Sequence, residues 1–310
     1  MADTAAARQD RPLLGIGMTL MAFFTFSCLD SSAKWLALAG VPVIQIGFMR
    51  YAVHFAFSMG PRAAKGEGLS AFHCARPGLT ALRGAMLMTS TICNFVAIQF
   101  IPLTLTATIM FLTPIIVTAL SGPVLGEKVG PWRWGAVAAG FIGVLIAVRP
   151  FGAEFHWAVF VSLLGATAFA VYALLTRMLS GVVSPSVMQL YGGAVGTFAL
   201  LPLAIWAWEA PTEPLQWVLM LAIGFFGWFG HGILTQAYSY AEASLLTPFA
   251  YVQIVFLGFW SWTVFDTAPD AWILMGAAIV IAAGLTIWTR ERRQAKAARL
   301  RVLAAAMKKP

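Results

Sequence analysis

Apolar residues run along this chain in blocks long enough to cross a bilayer, each closed by a short polar break. Ten blocks can be read: 13–38, 41–60, 79–101, 103–122, 131–148, 156–177, 185–208, 214–237, 243–265 and 270–288. A membrane helix needs ~20 mostly apolar residues. The pattern therefore predicts an all-α integral membrane protein with ten transmembrane helices. The connections are short throughout and leave no room for a soluble domain.

The order of polar and apolar positions is written twice. From Ala97 an apolar stretch runs through Leu120 to a polar hinge at Gly126-Glu127-Lys128, and a glycine-studded run then ends at Arg149. From Ala237 the plan recurs: apolar to Phe265, a polar hinge at Asp266-Thr267, then apolar again to Arg290. Trp132 falls on Trp272 at an offset of 140, and Gly135-Ala136, Gly143 and Arg149 fall on Gly276-Ala277, Gly284 and Arg290 at 141. Upstream, Lys34 and Pro42 match Arg177 and Pro185 at 143. Self-similarity at a long period is the mark of duplication. The expected units are 13–149, 156–290 and a basic cytoplasmic tail, 291–310. A unit with five crossings re-enters the membrane upside down the second time. Two such copies relate by an axis in the membrane plane, the plan of many secondary transporters.

Composition agrees with lipid as the solvent. The chain is 60% hydrophobic and 10% charged, with a mean hydropathy of +0.82, against about a quarter charged in soluble domains. The net charge of +8 predicts no nucleic-acid partner; its placement sets orientation, because Lys and Arg collect on the cytoplasmic side. Arg8, Arg11, Arg62, Lys65, Arg76, Arg83, Lys128, Arg133, Arg177 and the tail cations fall on one set of loops. Glu154, Glu209, Glu213, Asp266 and Asp270 fall with Arg149 on the other. Both termini are thus expected inside a bacterial-type cytoplasmic membrane. The first block exceeds the apolar core of a signal peptide and carries Asp30 and Lys34, so it is expected to be retained. Cys28, Cys74 and Cys93 have no metal-like spacing and read as packing residues. No phosphate-binding loop, His-Glu-x-x-His or nucleophile–base pair is visible, which predicts no catalytic residues, no metal and no cofactor.

Charges in the bilayer centre cost ~2.5–3.5 kcal/mol each and usually face a cavity or a partner. Asp30 on the first helix and Arg50 on the second both lie ~12–14 Å from the same face. That level placement makes a direct pair geometrically reasonable, as a clamp or as contacts for a zwitterionic substrate. Lys34, one turn from Asp30, is expected to snorkel to the interface. His54 lies one turn from Arg50. His231 on the eighth helix could join a proton path or pack by hydrogen bonding. Asn94, Thr113 and Gln253 fall at mid-depth. Phe111 matches Tyr251, and Thr113 matches Gln253, at an offset of 140; facing positions of an inverted repeat converge on one cavity. Pro114 and Pro248 are expected to kink the fourth and ninth helices and free a backbone carbonyl there. Trp260, Trp262 and Phe265 read as interface anchors. Small-residue steps such as Gly192-x-x-x-Gly196 and Ala139-x-x-x-Gly143 favour close helix contacts. Helices five and ten, poor in polar residues, are expected to be peripheral or self-associating, as in a homodimer.

Thr113-Pro114 running to Gly126-Glu127, the glycine-rich fifth and tenth helices, and the ending from Asp266-Thr-Ala-Pro-Asp270 through Gly276 and Gly284 to Arg290-Glu291-Arg292 carry a resemblance. Together they resemble the EamA branch of the drug/metabolite transporter superfamily, over about residues 13–292. The resemblance implies a secondary carrier of small metabolites with its fourth and ninth helices near a central cavity. Amino-acid exporters, riboflavin carriers and S-adenosylmethionine carriers are members of that kind. Asp266-Thr267 departs from the Gly-Glu hinge of the first copy. The expected function is secondary transport of a small organic metabolite, coupled to protons or driven by its own gradient. A membrane sensor or scaffold with a basic tail is the alternative.

Overall fold

In the computed structural model, residues 11–125, 131–149, 155–240 and 246–306 are described, and among them there is no strand. Lipid offers no hydrogen bonds, so each crossing must satisfy its own peptide groups, and helix is the answer. The helices are α1 (Pro12–Leu38), α2 (Val43–Ala64), α3 (Pro77–Phe100), α4 (Leu103–Met110), α5 (Thr113–Leu125), α6 (Pro131–Val148), α7 (Ala158–Leu179), α8 (Pro185–Trp206), α9 (Pro214–Tyr240), α10 (Gln253–Thr263) and α11 (Ala271–Ala306). Seven spans are long and apolar enough to cross a bilayer, α4 and α5 together forming one of them. The shorter apolar helices 134–148 and 249–263, with α2, supply the other three crossings of the ten expected. The hinge at Gly126-Glu127-Lys128, Arg8 and Glu154 lie outside the described residues.

Local chemistry stops and restarts the helices alike in both halves. α1 ends at Ala39 with Gly40 at φ +87, and Pro42 precedes α2. α7 ends at Ser180 with Gly181 at φ +78, and Ser184 accepts from Val187 N before Pro185 opens α8. Left-handed glycine after a helix and proline at the next helix start are the usual punctuation.

Helix packing obeys an exchange rule. α1 lies along α9 as α3 lies along α7, and α2 meets α9 as α3 meets α8. α1 against α10 is matched by α7 against α4 and α5, while α2–α8, α6–α11 and α4–α10 each pair with their own counterpart. Two apolar clusters follow. One gathers Leu29, Ile46, Phe95, Leu103, Ile223 and Leu257, the other Ile109, Ile115, Val144, Val159 and Val280. Large side chains such as Phe160, Phe198, Trp206 and Val255 point outward, as suits a lipid solvent.

Gly143, one of the small residues singled out above, makes a close contact within the chain. At Gly143 of α6 a Cβ would stand 2.9 Å from Gly276 O of α11, so the fifth and tenth spans touch backbone to backbone.

The fourth span is interrupted, and the ninth changes helix type, where kinked α-helices were expected. α4 stops at Met110, Phe111 and Leu112 form a turn, and α5 starts at Thr113 with Pro114 in its first turn. In the ninth span a 3-10 segment, Thr247–Val252, opens with Pro248 and passes into α10 at Gln253. Both prolines therefore sit at the start of a segment, where a missing N–H costs nothing.

Candidate functional site

The fourth and ninth spans resume as α-helix at Thr113 and Gln253, the first residues of α5 and α10. Two positions earlier, Phe111 and Tyr251 meet edge to face, their centroids 5.1 Å apart at 83°. Residues matched along the sequence thus meet across the molecular axis. Tyr251 also presses its hydroxyl into the space a Cβ would need at Gly284 of α11.

Beside this junction Asp30 of α1, half-buried, is held on both oxygens. Asn94 Nδ2 of α3 donates to Oδ1 at 3.0 Å, and Gln253 Nε2 donates to Oδ2 at 3.5 Å. Three expected site residues from three separate spans thus converge on one carboxylate. One turn along α1, Ser27 Oγ accepts from Trp260 Nε1 at 3.1 Å. Trp260 is therefore part of the α1–α10 wall rather than an interface anchor. Thr113 is buried and its hydroxyl lacks a partner, so it shares the junction but not the hydrogen bonds of its counterpart Gln253.

The direct Asp30–Arg50 pair is not made. Arg50 is 6% exposed, its Nε and Nη1 without a hydrogen-bond partner, and its Cζ stands 4.6 Å from the Tyr51 ring centroid. Equal depth did not imply equal direction. Arg50 faces α9, where a Cβ at Gly227 would stand 3.7 Å from its Nε. Further along the same wall, His231 of α9 lies 4.9 Å from Phe26 and 6.5 Å from His54, centroid to centroid. The expected residues thus form two groups: Asp30, Asn94 and Gln253 in one, Arg50, His54 and His231 in the other.

Two further cations depart from expectation. Lys34 does not snorkel: it is buried, donates to Ile101 O at 3.2 Å, and stands 5.3 Å from the Phe265 ring centroid. Ile101 is the residue that caps α3, so the ammonium complements a helix C-terminus. Arg83 is no loop charge. It donates Nε to Thr176 Oγ1 at 2.7 Å, Nη1 to Met188 O at 3.1 Å and Nη2 to Tyr172 Oη at 2.8 Å. It ties α3 to α7 and α8. Proline at the start of α3 is the sequence signal that places Arg83 inside the helix. Gln45, at 0% exposure, clasps both backbone groups of Glu209, with Nε2 to O at 2.9 Å and N to Oε1 at 3.0 Å; nothing in its spacing foretold that.

An all-helical bundle whose fourth and ninth spans cross next to oppositely charged side chains is the build of a multi-pass membrane transporter. The chain belongs to the EamA-like transporter family, whose model matches residues 13–149 and again 156–289. It is 27% identical to a riboflavin transporter of Rhizobium johnstonii, over 93% of this chain and 95% of that one. It is 29% identical to a pseudopaline exporter of Pseudomonas aeruginosa, over 88% and 95%. An S-adenosylmethionine uptake transporter of Rickettsia prowazekii shares 25% over 91% and 94%. A solved crystal structure superposes with a TM-score of 0.60 at 16% identity, over 91% of this chain and 98% of that one, a likeness of fold. The sensor or scaffold alternative is not favoured.

Proposed function

We propose that this protein is a secondary transporter of a small organic metabolite, which crosses by alternating access through a chamber walled by Asp30, Asn94, Phe111, Tyr251 and Gln253. The observation that carries this reading is the junction itself. Two spans leave the α-helix at repeat-related residues, their aromatic rings meet, and the first residue of one resumed helix donates to a half-buried carboxylate. Discontinuous helices of this kind mark solute sites at mid-membrane. Similarity to carriers named for riboflavin, pseudopaline and S-adenosylmethionine supports a water-soluble organic metabolite as cargo. The energy comes from a proton or solute gradient, and the cargo is moved without being altered. The membrane is a bacterial-type cytoplasmic one with both termini inside, since Arg11, Arg62, Lys65, Arg76 and Arg177 lie at the ends and connections on the tail side.

The test is flux into proteoliposomes carrying the purified protein. Labelled S-adenosylmethionine, riboflavin and an amino-acid panel are offered with and without a pH gradient, and by counterflow. Saturable uptake of at least one solute, its pH-driven part lost in Asp30→Asn, is the expected result. No movement of any solute under any gradient overturns the reading.

A further inference from the structure

Along one face of α2, Arg50, His54 and Ser58 follow at one-turn intervals. Each carries a buried polar atom without a hydrogen-bond partner: Arg50 Nε and Nη1, His54 Nε2 and Ser58 Oγ. Arg50 is 6% exposed and His54 3%. Buried polar groups are almost always satisfied, and a native exception calls for a physical cause. This molecule also shows how a structural arginine is treated, because Arg83, equally buried, spends three donors on α7 and α8. Arg50 has the face of Tyr51 at 4.6 Å and, without contact, the charge of Asp30, which offset part of the desolvation and leave Nε and Nη1 without an acceptor.

That edge of the guanidinium faces a position of α9 that carries no side chain: a Cβ at Gly227 would stand 3.7 Å from Arg50 Nε. His231 closes the far side, its ring centroid 6.5 Å from that of His54. Asp30, the carboxylate of the neighbouring wall, is occupied by Asn94 and Gln253. What remains is a fork of guanidinium donors in a water-poor setting, matched by geometry and charge to a carboxylate.

We propose that Arg50, with His54 and His231 beside it, forms an anion subsite that receives the carboxylate of the transported solute. The solute class is then an amino carboxylate, with its cationic end turned towards Asp30. This rests on the transport reading above and adds a requirement that reading lacks: the cargo carries a carboxylate.

The experiment compares binding of matched probes to the detergent-purified full chain by thermal shift and titration calorimetry. The pairs are S-adenosylmethionine with decarboxylated S-adenosylmethionine, methionine with 3-methylthiopropylamine, and tryptophan with tryptamine; riboflavin is the probe without a carboxylate. The wild-type protein is expected to prefer the carboxylate-bearing member of at least one pair by on the order of tenfold or more. Arg50→Gln abolishes that preference while still binding the amine, which shows that it is folded, and Arg50→Lys keeps a part of it. Equal binding of acid and amine in the wild type, or a preference that survives Arg50→Gln, overturns the subsite. If riboflavin is bound and moved in proteoliposomes while no carboxylate is, the subsite falls and the transporter stands. If no solute binds or moves, the transport reading itself falls.

Discussion

Asn94 Nδ2 donates to Asp30 Oδ1 at 3.0 Å across the α1–α3 contact, and Gln253 reaches the second oxygen at 3.5 Å from the opposite repeat. A carboxylate in this setting is hydrogen-bonded by amides rather than paired in contact with a cation, and it links the two halves of the molecule through one side chain.

Removing these amides should slow transport without unfolding the chain. Asn94→Ala is expected to lower flux more than Gln253→Ala, because its bond is the shorter. Each loss is on the order of tenfold, the scale of one hydrogen bond to a charged group. Initial rates in proteoliposomes, normalised to incorporated protein, provide the check. A Gln253→Ala rate below that of Asn94→Ala would reverse the assigned order.

Asp30→Asn keeps the shape of the side chain and removes its charge. If the carboxylate carries the coupling proton, the acid-stimulated part of uptake disappears in this variant while counterflow persists. Uptake measured across a range of external pH decides it. An unchanged pH profile removes Asp30 as the coupling group.

Two buried arginines should respond in opposite ways to the same substitution. Arg83→Met deletes three hydrogen bonds, among them the one to the Tyr172 hydroxyl, so stability should fall by on the order of 3 kcal/mol. Arg50→Met removes a buried charge whose Nε and Nη1 have no hydrogen-bond partner, so stability should hold or rise by about 1 kcal/mol while transport is lost. Thermal denaturation in detergent, run beside flux, separates the two. A large loss of stability in Arg50→Met would make Arg50 a structural clamp.

Gly143→Val or Gly276→Val forces apart two backbones that already touch. Either should destabilise the protein by at least about 1–3 kcal/mol, seen as a lower melting temperature and a lower yield of monodisperse protein. Val in place of Gly135, where a Cβ would meet nothing within 4 Å, is the control and should change little.

Crossing number can be checked directly. In a background lacking Cys28, Cys74 and Cys93, single cysteines at Gly66 and Ser180 should be labelled from the cytoplasmic side only. Cysteines at Gly40 and Thr212 should be labelled from the outside only. Labelling of Gly66 and Ser180 from opposite sides would exclude the five-plus-five arrangement.

The spans were legible because lipid imposes one simple rule on them, about twenty apolar residues in helix. The site was legible to the extent that polarity is costly in that solvent, which is why Asp30, Arg50, Asn94 and Gln253 could be picked out by depth alone. Depth does not fix azimuth, however. Each residue turns a helix by about 100°, so Asp30 and Arg50 could share a level and still face different neighbours. Lys34 was expected to reach for water, but a helix end lay nearer, and Ile101 O satisfied it. Arg83 was counted among loop cations although Pro77 opens the helix six positions before it. The pairing of Phe111 with Tyr251 followed from the repeat and needed no depth at all.

The turn at Phe111–Leu112 and the 3-10 segment before Gln253 have a mechanical consequence. A continuous helix resists bending because every degree of tilt strains a run of peptide hydrogen bonds. In the fourth span that run is broken at the turn, so α4 and α5 can tilt separately, and in the ninth the change from 3-10 to α at Gln253 is the matching soft point. Tilting there lets one mouth open while the other stays shut.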